Sequence, residues 1–137
     1  MSYELRDHTA DVAVAATGPT LAAVFAAAGD GMAGAMCDEI PADAGERFDF
    51  EVTAENREAL LFDYLDRLIY ERDVRAVLPV DNEVEIRGDG EEFVVTGSAR
   101  GVPLADVSAR EIKAVTYSDM ELVETDDGWR AYVVLDV

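Results

Sequence analysis

The stretch NREALLFDYLDRLIYERD, residues 56–73, decides the fold class. Leu60, Leu61, Tyr64, Leu65, Leu68 and Ile69 recur at spacings of three and four, which gathers them on one stripe of an amphipathic helix. Thr53 or Asn56 can cap that helix, because a side-chain oxygen there accepts from the first free amides. It is predicted to end near Asp73. Upstream, Thr20 follows a Gly18-Pro19 turn and caps a second helical pattern, in which Leu21, Phe25, Ala28, Met32 and Met36 share a face. Gly29, Gly31 and Gly34 fall inside that pattern. Each lowers helix propensity by about 1 kcal/mol where exposed, so they suit a helix lying close against a sheet.

Around these helices the chain reads as strands. Residues 3–6 form a short, partly apolar segment, a polar break follows at 7–11, and residues 12–16 are a buried strand. Phe48, Phe50 and Val52 alternate with Asp49 and Glu51, the period of a half-exposed strand. Val84 and Ile86 lead into a Gly88-Asp89-Gly90 turn and residues 93–99 return from it. After a break at 101–104, residues 111–118 and 120–125 are strand-like. Asp126-Asp127-Gly128 then turns the chain into 129–137, a closing hairpin. Two helices with several antiparallel strands predict an α+β, two-layer domain, with two helices packed on a mixed, largely antiparallel sheet. Residues 1–137 are expected to form one domain, without repeats or low-complexity segments.

Thirty acidic residues against eleven basic ones give a formal net charge of −19. Ten of the bases are arginine and Lys113 is the only lysine. Self-repulsion on this scale opposes compaction, and molar salt, with a Debye length of about 3 Å, screens it. A salt-adapted (halophilic) setting is therefore expected. The melting temperature should rise between low and molar KCl, and a thermal melt that stays flat across that series would refute the reading. The bases stand singly from Arg6 to Arg130, so there is no stripe to displace counterions from nucleic acid. Direct RNA binding over a broad surface is not expected. No apolar run approaches the roughly 20 residues that span a membrane, and the first residues lack a secretory pattern. The expected location is the cytoplasm. Cys37 is the sole cysteine, which excludes an internal disulfide or an all-Cys metal site.

The chain has no Gly-rich phosphate loop, and with His8 as its one histidine it has no paired-histidine chemistry. What remains for chemistry is carboxylate. Asp11 immediately precedes the apolar run at 12–16, and Asp136 closes Tyr132-Val133-Val134-Leu135. Strand-end carboxylates are usually just solvated. If these two strands are neighbours, however, Asp11, Asp136 and the terminal carboxylate of Val137 offer the oxygen ligands that a hard cation such as Ca2+ or Mg2+ takes. His8, with Thr9, reads as a hydrogen-bonding residue of the loop that positions Asp11. Lys113 reads as a snorkelling surface residue, and Thr116 and Tyr117 as ordinary strand residues.

Several of these segments, in order, resemble one known family. His8-Thr9-Ala10-Asp11-Val12 is similar to the opening motif of the archeases. Residues 20–32 resemble their first helix and Leu60-Leu61-Phe62-Asp63-Tyr64-Leu65 their second. Ile112-Lys113-Ala114-Val115-Thr116-Tyr117 resembles their most distinctive strand, and Trp129 with Leu135-Asp136-Val137 their closing strand. The resemblance implies an accessory protein, not an enzyme. Archeases assist an RtcB-type GTP-dependent tRNA-splicing ligase, promoting its guanylylation and so its multiple turnover. It also implies a divalent metal, commonly Ca2+ with Mg2+ or Mn2+ as alternatives, on Asp11, Asp136 and Val137, with Lys113 in a supporting role. Another role implied for the family is a chaperone-like one toward tRNA-modifying enzymes. A metal-dependent hydrolase on the same carboxylates is the remaining alternative. The chain departs from the family pattern at Ser118, where a histidine is common, at Tyr64 and Asp66 in place of Trp and Asn, and at Gly101-Val102 in place of Gly-Glu. A histidine-assisted role at position 118 is therefore not open to it.

Overall fold

The computed structural model describes residues 2–8 and 11–137, with the backbone only for 6–8. Helix α2, Arg57–Arg75, is the one the 56–73 stretch predicts. Asn56 is its cap, its Oδ1 accepting from the Ala59 amide at 2.8 Å. The helix runs two residues beyond Asp73 and stops at Ala76, which takes a left-handed φ of 54° and returns its N–H to the Arg72 carbonyl. Arg72 and Arg75 in the last turn suit the negative end of the helix dipole. All six stripe residues are buried.

Helix α1, Leu21–Met36, starts at Thr20, whose hydroxyl accepts from Ala23 N at 3.1 Å. It is buried around most of its circumference. Its glycines explain how it lies so close to its neighbours: a Cβ at Gly31 would stand 2.5 Å from Val14 Cγ1, and one at Gly29 would stand 2.8 Å from the Tyr64 hydroxyl.

Seven strands complete the described chain: β1 (Ser2–His8), β2 (Asp11–Gly18), β3 (Glu46–Ala54), β4 (Val77–Gly88), β5 (Phe93–Pro103), β6 (Ala114–Thr125) and β7 (Gly128–Asp136). The α+β class and the helix pair are as expected. The sheet differs from a single mixed one. The strands divide into two sheets, ordered β1-β2-β7-β6 and β3-β5-β4, and every pairing is antiparallel. Each helix serves both sheets: α1 packs on β1, β2 and β7 and also on β4, while α2 packs on β3, β4 and β5 and also on β6. One continuous core results, with Phe25, Met32, Leu65, Val133 and Leu135 among its fully buried members.

Four sequence boundaries move. Residues 7, 8 and 11, read as part of a polar break, are strand: β1 runs to His8 and β2 begins at Asp11, with His8 paired to Asp11. Residues 101–103 stay in β5, because Gly101 and Val102 pair with Pro79 and Leu78, and the chain leaves the sheet only at a 3-10 turn, Leu104–Asp106. Residues 77–82 are strand directly after α2. Residues 111–113 are not strand; β6 begins at Ala114. Two register shifts, between Val80 and Glu83 and between Thr116 and Glu121, contain the left-handed residues Asp81 and Asp119. These are β-bulges, which re-aim side chains. The first turns Asn82 into the core, where its Oδ1 accepts from the Tyr64 hydroxyl at 2.8 Å while its backbone and side-chain N–H groups donate to Asp30 Oδ1 at 2.9 Å.

Candidate functional site

The pairing of β2 with β7 brings Asp11 and Asp136, the two carboxylates singled out in the sequence, to the same end of one sheet. Val12 pairs with Leu135, Val14 with Val133 and Ala16 with Ala131, and these residues face the core. Continuing that register by one residue sets Asp11 opposite Asp136 on the outer face, since successive side chains alternate across a sheet. Directly opposed residues have Cβ atoms about 4.5–5.5 Å apart. Asp11 is half-buried and Asp136 exposed. Neither has an ion-pair partner among the described residues. Like charges directly opposed in a sheet destabilise it, a repulsion that a cation between them would offset.

On the far side of β7, Ala114 pairs with Asp136, and the Lys113 amide donates to the Asp136 carbonyl at 2.8 Å. Lys113 is thus bound to the site through its backbone, while it also lines a groove with Arg72, Asp73 and Glu111. His8 pairs with Asp11 across β1 and β2, which puts it in the same row of the sheet. Its side chain and Thr9 lie outside the described residues, as does any hydrogen bond from them. Val137 follows Asp136 at the strand end and is 43% exposed.

The donor set fits a hard cation. Among the described residues no group of three or more His, Cys, Asp and Glu side chains is assembled for a metal. Asp11 and Asp136 would supply at most two side-chain carboxylates, and backbone carbonyls and water would have to complete the shell. That all-oxygen set suits Ca2+ or Mg2+, and the lack of sulfur or paired imidazole disfavours softer metals. One residue read only as strand belongs here as well. Thr116 pairs with Val134, two positions along the same face from the Ala114–Asp136 pair, and its hydroxyl is buried without a hydrogen-bond partner among the described residues. An orphaned buried hydroxyl costs about 1–3 kcal/mol, which water or a hydrated ion beside Asp136 would recover. Strand propensity carried no sign of this, because a threonine reads alike whether or not its hydroxyl is satisfied.

Neither carboxylate lines any of the described clefts. The largest, 670 Å³, runs along Cys37–Pro41 and Asp106–Arg110. Carboxylates outside any cleft are poorly placed to enclose a small substrate, and the exposed Asp136 is better placed to be presented to another molecule. No helix among the described residues is long and apolar enough to cross a membrane.

The chain matches the model of the archease protein family over residues 3–137. It is 35% identical to the protein archease of Methanosarcina acetivorans over 139 aligned positions, covering 98% of this chain and 95% of that protein. An archease-like protein of Drosophila melanogaster is 30% identical, with 100% and 91% covered. The solution structure of Methanobacterium thermoautotrophicum protein 1598 superposes with a TM-score of 0.86 at 33% identity, covering 99% of each chain. The crystal structure of a Thermotoga maritima archease, described as a possible chaperone, shares the fold at a TM-score of 0.64 and 22% identity, with 98% and 96% covered. Family match, near-complete coverage and common fold agree: this chain belongs to the archease family.

Proposed function

We propose that this protein is an accessory factor for an RtcB-type GTP-dependent tRNA-splicing ligase, promoting its guanylylation and multiple turnover through a divalent cation held by Asp11, Asp136 and Val137. The observation that supports the reading is the β2–β7 register, whose continuation by one residue would oppose Asp11 and Asp136, neither with an ion-pair partner among the described residues. A bound Ca2+, or Mg2+ or Mn2+ in its place, would supply positive charge and Lewis acidity there. The protein's own residues hold and present it: Asp11 and Asp136 orient their oxygens, and the Lys113 amide fixes the end of β7. Stimulation then requires that the ligase state which accepts guanylate bind this face more tightly than the other states do.

The net charge of −19 supports a protein partner over direct RNA contact. The position of the carboxylates outside the described clefts disfavours a free-standing metal-dependent hydrolase. Joined RNA ends per ligase should be counted at high salt with and without this protein. Passage from a single turnover to many is the expected result. No change, with a ligase that responds to another activator, would leave the chaperone-like module as the better reading.

A further inference from the structure

Where α2 passes β6, the rings of Phe62 and Tyr117 stack, with centroids 4.2 Å apart and planes within 4° of parallel. Phe62 packs against the core, while Tyr117 is 57% exposed. With one face of its ring on Phe62, Tyr117 turns the other to solvent. Phe62, Asp66, Tyr70 and Val74 follow one another at four-residue spacing along the outer side of α2, as neighbours on a helix surface do. Among the described residues, Tyr70, Val74 and Tyr117 are three of the six large hydrophobics that are exposed. Apolar surface gathered in this way marks a contact site more than scattered single residues do.

The acids in this patch lack partners. Asp63 is half-buried, and neither it nor Asp66 forms an ion pair among the described residues. Arg67, the base four residues beyond Asp63, is directed to Glu71 at 3.8 Å and to the Glu51 carbonyl at 3.3 Å. Burial, and then the Asp66 charge, push the Asp63 carboxyl up. Burial, and then the Asp63 charge, push the Tyr117 hydroxyl up, so carboxylate and ring lie within electrostatic reach of each other. A partly desolvated carboxylate beside a like charge is stabilised by an incoming cation.

Ring and carboxylate together select which cation. A guanidinium is planar, stacks on an aromatic face and offers parallel N–H donors to a carboxylate, whereas an ammonium is a strongly hydrated point charge. A nucleobase also stacks on an aromatic ring, but its phosphates would approach Asp63 and Asp66 on a chain of net charge −19. We infer that Tyr117, with Asp63 and Asp66 beside it, docks an arginine side chain presented by a protein partner, the guanidinium lying on the open face of the ring and donating to Asp63. Tyr70 and Val74 extend apolar contact to the segment that carries the arginine. The inference rests on this ring and its carboxylates, and on neither the ligase nor the metal reading.

The full chain, labelled with nitrogen-15, should be titrated at fixed ionic strength with a short peptide carrying one arginine among glycines, with its lysine counterpart, and with a short oligouridylate. Saturable amide shifts centred on residues 62–66 and 116–118 are expected with the arginine peptide, and weaker binding with the lysine one. Tyr117→Leu, which keeps an apolar group against Phe62, and Asp63→Asn should each weaken the arginine peptide about fivefold. Tyr117→Phe should bind like the parent, because it keeps the ring. Asp49→Asn, which removes an exposed charge on β3, should also bind like the parent. Equal binding of the two peptides, or loss on Asp49→Asn as large as on Asp63→Asn, would reduce the effect to net charge and overturn the site. Tighter binding of the oligouridylate would overturn it in favour of a base-stacking surface. Shifts at these residues that grow with protein concentration alone would assign the patch to a second copy of the chain instead.

Discussion

Alanine at Asp136, and separately at Asp11, should abolish ligase stimulation and leave the fold intact. Both carboxylates are on the outer face of the sheet, off the core, so neither change opens a cavity. The bond from the Lys113 amide to the Asp136 carbonyl is main-chain and survives substitution. Removing one of two opposed carboxylates even relieves repulsion, so in chelator each variant should melt at or slightly above the parent temperature. The difference should appear on adding Ca2+. An ion at 100 times its dissociation constant stabilises the state that binds it by about 2.7 kcal/mol, and that increment should vanish in both variants together with stimulation. Asp136→Asn separates charge from shape, because it keeps an oxygen at the same place but not the anion, and it should fail like alanine. Variants that keep full stimulation would exclude the carboxylate pair from the mechanism. Loss of stimulation with an unchanged Ca2+ increment would instead make these residues contacts to the ligase, with the metal bound elsewhere.

What the sequence revealed of this fold was what one side-chain period can carry. The α2 stripe, the Thr20 cap and the closing hairpin each sit within a dozen or so residues, and all three stand as expected. The partition into two sheets did not follow from period, because it depends on which strand pairs with which: β2 pairs with β7 across more than a hundred residues. The candidate site divided along the same line. Asp11 and Asp136 were visible as carboxylates at strand ends, but that their strands are neighbours depended on that pairing. The orphaned Thr116 hydroxyl was invisible, since a polar group's lack of partners is a property of its surroundings. The bulge at 80–83 was likewise hidden: Val80-Asp81-Asn82-Glu83 reads as an unremarkable alternation, and it is Asp30, 52 residues upstream of Asn82, that gives the bulge its purpose.

That bulge carries the largest stability prediction. Asn82 is 6% exposed and joins three elements: α1 through Asp30, α2 through Tyr64, and β4 through its own backbone. Asn82→Ala leaves the wholly buried Tyr64 hydroxyl without an acceptor, at about 1–3 kcal/mol, removes one of the two donors to Asp30, and empties the space beside Gly29. A loss of about 2–4 kcal/mol is expected, which at roughly 4 °C per kcal/mol lowers the melting temperature by about 8 °C or more. Adding Tyr64→Phe to Asn82→Ala should cost almost nothing further, because the orphaned hydroxyl leaves with it. That non-additivity is the signature of a shared bond. A melt shifted by less than about 2 °C, or strictly additive single variants, would deny the network its role. Asp30 adds a pH test. Burial raises its carboxyl above the usual range, and this outweighs the two Asn82 bonds that lower it. The folded state then binds the Asp30 proton more tightly than the unfolded state, so its contribution to stability falls as pH rises from about 3.9 through the raised folded value. Asp30→Asn keeps an oxygen to accept from Asn82 and cannot ionise. Its stability relative to the parent should therefore climb across that acidic window and level off above it. A difference that is flat with pH would mean that Asp30 does not feel its burial.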